Sequence, residues 1–139
     1  MNPYDEVGKI MTTDLVTVTD YTPVTQLKDM FTQRNIHHIL VENNTGELLG
    51  IISQVDLARA AHFSMPDNQL TAKHIMTASP ESIRANLPIQ QVVDYFLDNR
   101  FRAIPVVNKD KLLIGIVTPY DIMSTLMDNF KEENEELIM

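Results

Sequence analysis

The spacing of apolar and polar positions changes several times along the chain, and each change marks an element. Residues 15–19, Leu-Val-Thr-Val-Thr, alternate as a short strand does. Thr22 as N-cap and Pro23 at the first helical position then open a helix, since proline presets φ and lacks an N–H that a helix start leaves orphaned anyway. Val24, Leu27, Met30 and Phe31 fall at helical spacing and should face a core. Residues 37–41 read as a strand, Asn43-Asn44-Thr45-Gly46 as a turn, and residues 48–52 as the returning strand of a hairpin. A second helix is expected from Gln54 to about His62.

The same succession recurs 65 residues later: a strand near Ser82 and Ile83, a helix over 88–99, a strand over 103–107, a turn at Asn108, Lys109 and Asp110, a strand over 112–117, and a helix from Pro119. Ile10-Met11-Thr12 returns as Ile75-Met76-Thr77, Pro23 as Pro88, Asp29 as Asp94, Phe31 as Phe96, and Gly50 as Gly115. A constant offset without insertions means two copies of one structural unit. Each copy reads β-α-β-β-α, so the fold class is α+β. The units span 7–62 and 72–126, joined by a linker over 63–71 with the turn chemistry of Pro66, Asp67 and Asn68, and followed by a tail over 127–139. Each Ile-Met-Thr stretch is expected to form a helical turn that docks back on the unit it opens. A single copy would bury only about 60% of its unfolded surface and the pair about 68%, so the copies should fold against each other.

Composition narrows the function. No apolar run approaches the roughly 20 residues of a membrane span, and the first residues, Met1-Asn2-Pro3-Tyr4-Asp5-Glu6, lack the basic and apolar regions of a secretory signal, which favours the cytoplasm. The chain has no cysteine, hence neither disulfides nor thiolate chemistry. A net charge of −8 disfavours nucleic acid and anionic lipid, which are bound by neutralising phosphates with Lys and Arg. Part of that charge is the run from Lys131 to Glu136, a solvated helix end or a docking strip.

Ser53-Gln54-Val55-Asp56 and Thr118-Pro119-Tyr120-Asp121 have capping-box spacing: the hydroxyl accepts from the third helical amide, and the acid reaches back to the N-cap amide. A helix start of this kind also offers free N–H groups and a positive dipole end to an anion.

The duplicated β-α-β-β-α order, the Ile-Met-Thr opening and the Gly-Ile-x-Ser/Thr-x-x-Asp at the start of each last helix together resemble the CBS-domain pair, or Bateman module, over most of the chain. The resemblance implies two units packed through their sheets about a pseudo-two-fold axis. Clefts between them would take an adenosine-containing ligand such as AMP, ADP, ATP or S-adenosylmethionine. It further implies that Asp56 or Asp121 accepts from ribose hydroxyls and that Ser53 or Thr118 lies near phosphates. A basic pair before the middle strand would reach the phosphates from the other unit, which assigns Arg100 and Arg102 to the cleft of Asp56, and His37 and His38 to that of Asp121. Thr17 and Val18, or Ser82 and Ile83, would read the adenine edge. The second basic position is Ala103, and Leu40 stands where the family usually has proline. Ordinary surface charge for the arginines and core packing for Val18 and Ile83 are the alternative readings.

The histidines His37, His38, His62 and His74 show no metal-ligand spacing, and adjacent strand residues point to opposite faces. No nucleophile elbow or glycine-rich phosphate loop is present, so neither a metal nor an enzyme activity is expected. Met11, Met30, Met76, Met123 and Met127 lie at apolar helical positions and suit a core or an adaptable assembly face. Two readings follow: a regulatory module that signals adenosine-ligand occupancy to a separate protein partner, with a homodimer formed through the helices over 24–32, 89–97 and 120–127; or an oligomeric interaction protein with vestigial clefts.

Overall fold

The computed structural model describes residues 2–99 and 101–138, with side chains through Glu135. Two compact units emerge, one of residues 14–81 and 110–113, the other of residues 1–13, 82–109 and 114–139.

In the first of these, β1 (Thr17–Val18) lies parallel to β2 (His38–Glu42), and β2 pairs antiparallel with β3 (Leu48–Ser53). Helix α1 (Val24–Gln33) connects β1 to β2 and buries the periodic face of Val24, Leu27 and Phe31. These meet Ile39 and Val41 of β2 and Ile52 of β3 in one cluster. The hairpin turns at Gly46, whose φ of 87° is cheap only for glycine, while the Asn43 carboxamide oxygen accepts from the amides of Thr45 and Glu47, each at 3.0 Å. Helix α2 (Gln54–Ala58) is shorter than the sequence suggests and tightens into a 3-10 turn over Arg59–His62. Helix α3 (Ala72–Ile75) and strand β4 (Thr77–Ala78) complete the unit, with β4 added antiparallel to β3 to give the order β1-β2-β3-β4.

The other unit repeats the plan with β5 (Ile83–Arg84), α4 (Ile89–Asn99), β6 (Ile104–Val107), β7 (Leu113–Val117) and α5 (Pro119–Ile138). Its sheet has the order β5-β6-β7, with β5 parallel to β6. Val7, Ile83, Ile89, Val92, Phe96, Ile104, Val106, Val117 and Ile122 form its core. Lys111 takes the place of Gly46 at the 65-residue offset and holds the same left-handed conformation, with φ of 65°. Helix α5 continues without a break through the acidic run.

The opening segments are exchanged, which corrects the expectation that each docks on the unit it opens. Residues 2–12 pack with the second repeat: the amides of Val7 and Gly8 donate to the carbonyls of Leu87 and Ala85, each at 2.9 Å, and Thr12 bridges Ile116. Residues 70–78 pack with the first repeat through the same bonds 65 residues on: Ala72 and Lys73 donate to Thr22 and Asp20 at 2.8 and 2.9 Å, and Thr77 pairs with Ile51. The free edge of β3 needs a partner, and the chain leaving α2 reaches it as β4. The exchange also moves the start of α1. Pro23 is its N-cap, not Thr22, because the Val24 amide donates to the Leu70 carbonyl at 2.9 Å; the Thr22 hydroxyl bonds that of Thr19 instead, at 3.1 Å. Ile89 likewise donates to Asp5 at 2.9 Å.

Candidate functional site

Both Ser/Thr-x-x-Asp motifs form complete capping boxes with the same geometry. Asp56 Oδ2 accepts from the Ser53 amide at 2.8 Å and hydroxyl at 3.1 Å, and the Asp56 amide donates to Ser53 Oγ at 3.3 Å. Asp121 Oδ2 accepts from the Thr118 amide and hydroxyl at 2.8 and 3.1 Å, and its amide donates back at 3.3 Å. One oxygen of each carboxylate is thus committed to starting a helix, and only Oδ1 is left for other chemistry.

At Oδ1 the copies diverge. The exchanged segment supplies a threonine hydroxyl to each: Thr12 to Asp121 at 3.0 Å and Thr77 to Asp56 at 3.4 Å. Asp56 Oδ1 additionally carries an ion pair with the Arg59 guanidinium, and Asp56 is only 7% exposed. The residue aligned with Arg59 is Ser124, and Asp121 has no cationic partner among the described residues. A carboxylate has about four acceptor positions, so Asp121 retains unused capacity on an oxygen already oriented by the cap and by Thr12.

Thr12, Thr77 and Arg59 touch the motif aspartates, and the motif reading did not include them. The threonines carried a visible signal, since both recur in register as the end of Ile-Met-Thr, but their contact depends on the exchange. Arg59 breaks the repeat and had no motif to mark it.

The other residues expected at a site are placed as follows. His38 opens β2 directly opposite Ser53, so the two side chains share one face of the ladder, and His37 is exposed just before it. Arg102 is exposed in the approach to β6, while Arg100 lies outside the described residues. Thr17 and Val18 are half-buried in β1 opposite Leu40 and Val41; Ser82 is exposed, and Ile83 is buried in the second core opposite Val106. Among the described residues no group of three His, Cys, Asp or Glu is placed to hold a metal ion, and no helix is long and apolar enough to cross a membrane.

The family model described as CBS domain matches residues 7–62 and again 72–128. The chain belongs to the CBS-domain family. This CBS pair is 32% identical over 86% of its length to an uncharacterized protein of Methanocaldococcus jannaschii, and 24% identical over 89% to a homoserine O-acetyltransferase of Methanohalobium evestigatum. It spans only 28% and 24% of those two relatives. Among solved structures, the AcuB protein of Vibrio cholerae superposes with a TM-score of 0.83 at 23% identity, covering 94% of this chain and 96% of that one. CBSX2 in complex with AMP superposes with a TM-score of 0.78 at 23% identity, over 89% and 97% of the two chains. A CBS domain pair in complex with 5′-methylthioadenosine and S-adenosyl-L-methionine gives 0.78 at 24% identity, over 91% and 99%. These likenesses show the tandem α+β architecture of the CBS pair.

Proposed function

We propose that this CBS pair is a regulatory module that binds an adenosine-containing ligand of the AMP, ADP, ATP or S-adenosylmethionine type and passes its occupancy to a separate protein. The observation that carries the reading is the state of Asp121: a carboxylate locked by its own cap, with an oriented Oδ1 that still has acceptor capacity for a vicinal diol. Beside it stands the start of the 20-residue α5, where the cap takes the Thr118 and Asp121 amides and Pro119 has none, so the Tyr120 amide is the donor that suits a phosphate oxygen. Support comes from neighbours of the same fold that hold AMP or S-adenosylmethionine. Asp56, tied to Arg59, is the weaker ribose acceptor of the two.

Calorimetric titration with AMP, ATP and S-adenosylmethionine tests this. Asp121→Asn should weaken the preferred ligand by about tenfold or more, since a hydrogen bond to a charged group is worth about 1.5–3 kcal/mol, and Asp56→Asn should weaken it less. Failure of all three ligands to bind, or equal affinity in wild type and both variants, refutes the assignment. A ligand at 100 times its Kd would add about 2.7 kcal/mol, which a melting curve also registers. The signal requires the ligand to favour one arrangement of the module over another.

A second reading, assembly, rests on α5. Tyr120, Met123, Met127 and Phe130 are 75, 66, 53 and 57% exposed and recur at intervals of three, four and three residues, the spacing of a two-helix seam. This favours a homodimer in which α5 packs on its counterpart from a second copy. Light scattering of wild type and of Met127→Glu with Phe130→Glu decides it: a dimer that the charged pair converts to monomer supports the seam, and a monomeric wild type refutes it.

A further inference from the structure

A concavity of about 350 Å³ opens where α2 ends and α3 begins, lined by Arg59, His62, Phe63, His74, Ile75 and Met76, all within one compact unit. Its volume falls in the range of small-molecule sites. The lining has two halves. Phe63, Ile75 and Met76 are apolar, and the rest are nitrogen bases or cations; among the described residues no carboxylate, amide or hydroxyl side chain lines it.

Each nitrogen group is available as a donor. His74 Nδ1 accepts the Thr71 amide at 2.9 Å, which places the proton of the neutral ring on Nε2. Phe63 meets the same imidazole edge-on, with centroids 6.4 Å apart and planes at 71°, fixing the ring. Arg59 uses one arm of its fork on Asp56 and has no other side-chain partner among the described residues. His62 is exposed and has no hydrogen bond or ion pair there.

The repeat shows that the fold does not require this set. At the 65-residue offset Arg59, His62, Phe63 and His74 correspond to Ser124, Met127, Asp128 and Lys9, whereas Ile75 and Met76 return as Ile10 and Met11. Ile75 and Met76 of the floor are common to both copies, whereas Phe63 and the set of one arginine and two histidines belong to one. Apart from the arm of Arg59 held by Asp56, these donors meet no carboxylate in the concavity and call for a ligand group that only accepts. Three of them around an open space suit the several oxygens of a phosphate better than the two of a carboxylate.

We propose that this concavity is a binding site for a small phosphate monoester, with the phosphate on Arg59, His62 and His74 and an apolar organic group on Phe63, Ile75 and Met76. It is distinct from the adenosine site at Asp121 and stands or falls independently of it.

Phenyl phosphate is the probe, titrated into the full chain and followed by amide and imidazole NMR shifts. Saturable shifts at His62, Phe63 and His74 are expected, and Asp121→Asn should leave them unchanged. Inorganic phosphate should bind more weakly, and His62→Ala should cost about tenfold in affinity at unchanged melting temperature, as loss of one charge-assisted bond predicts. Arg59→Gln should cost at least as much. The proposal is overturned if no saturable shift appears by roughly 10 mM, where a Kd of about 1 mM would be evident. Shifts mapping elsewhere, unaltered affinity in both variants, or benzoate binding as tightly as phenyl phosphate overturn it equally.

Discussion

The exchange of opening segments makes a quantitative prediction at Gly115. A Cβ added there would stand 2.5 Å from Met11 Sδ and 3.1 Å from its Cγ, roughly 1 Å inside the ~3.5–4.0 Å separation that non-bonded atoms prefer. Met11 must therefore swing out of the space against β7. Overpacking of this kind costs about 1–3 kcal/mol, and the alanine recovers about 0.4–1 by restricting the unfolded chain, so Gly115→Ala should lose about 1–2 kcal/mol net. Met11→Ala alone forfeits part of the ~2–5 kcal/mol of a buried methionine, because Met11 is half-buried. In the double variant the new methyl occupies space already vacated, so only the unfolded-chain gain remains and the double variant should be about 0.4–1 kcal/mol more stable than Met11→Ala. Urea denaturation of Gly115→Ala, Met11→Ala and Met76→Ala, and of Gly115→Ala combined with each methionine variant, completes the two cycles. The Met76 cycle should be additive, since Met76 stands against Gly50, 2.5 Å from an added Cβ there. Coupling of Gly115 to Met76 in place of Met11, or additivity with both, would refute the exchange.

Other expectations concern turns and the ion pair. Lys111→Gly should stabilise the protein by about 0.5–1 kcal/mol, because a lysine at φ 65° bears a left-handed cost that glycine escapes; a lower denaturation midpoint would contradict this. Asn43→Ala removes the acceptor of two backbone amides and one hydroxyl and should cost about 1–2 kcal/mol, measured the same way. Arg59→Ala should change stability by less than about 1 kcal/mol, because the arginine is more than half exposed and water screens the pair.

The periodicity rendered the repeats, hairpins and cores legible because those are local: a helix must place Val24, Leu27 and Phe31 on one face wherever its partner lies. The capping boxes were legible for the same reason. What escaped was set by chain path. Nothing in Ile10-Met11-Thr12 says which sheet it joins, and that choice decides the hydroxyl on each motif aspartate and even the first residue of α1. The capping motifs alone made the two aspartates look alike, and the unequal basic partners expected for them, Arg100 and Arg102 or His37 and His38, did not include the unrepeated arginine after α2 that separates them.

The exchange also orders events during synthesis. The unit built on the first repeat is finished, apart from four residues at 110–113, once residue 81 has been made. It can close while the rest of the chain is still emerging from the ribosome. The other unit joins residues 1–13 to residues 82–109 and 114–139 and cannot close until β7 exists. Until then the nascent N-terminus holds Val7 and Met11 without their core, a long-range closure that slows this half and exposes it to misassembly. A ribosome stalled after residue 81 has cleared the exit tunnel, but before β7 has, should thus present one folded body with residues 2–13 still open to protease.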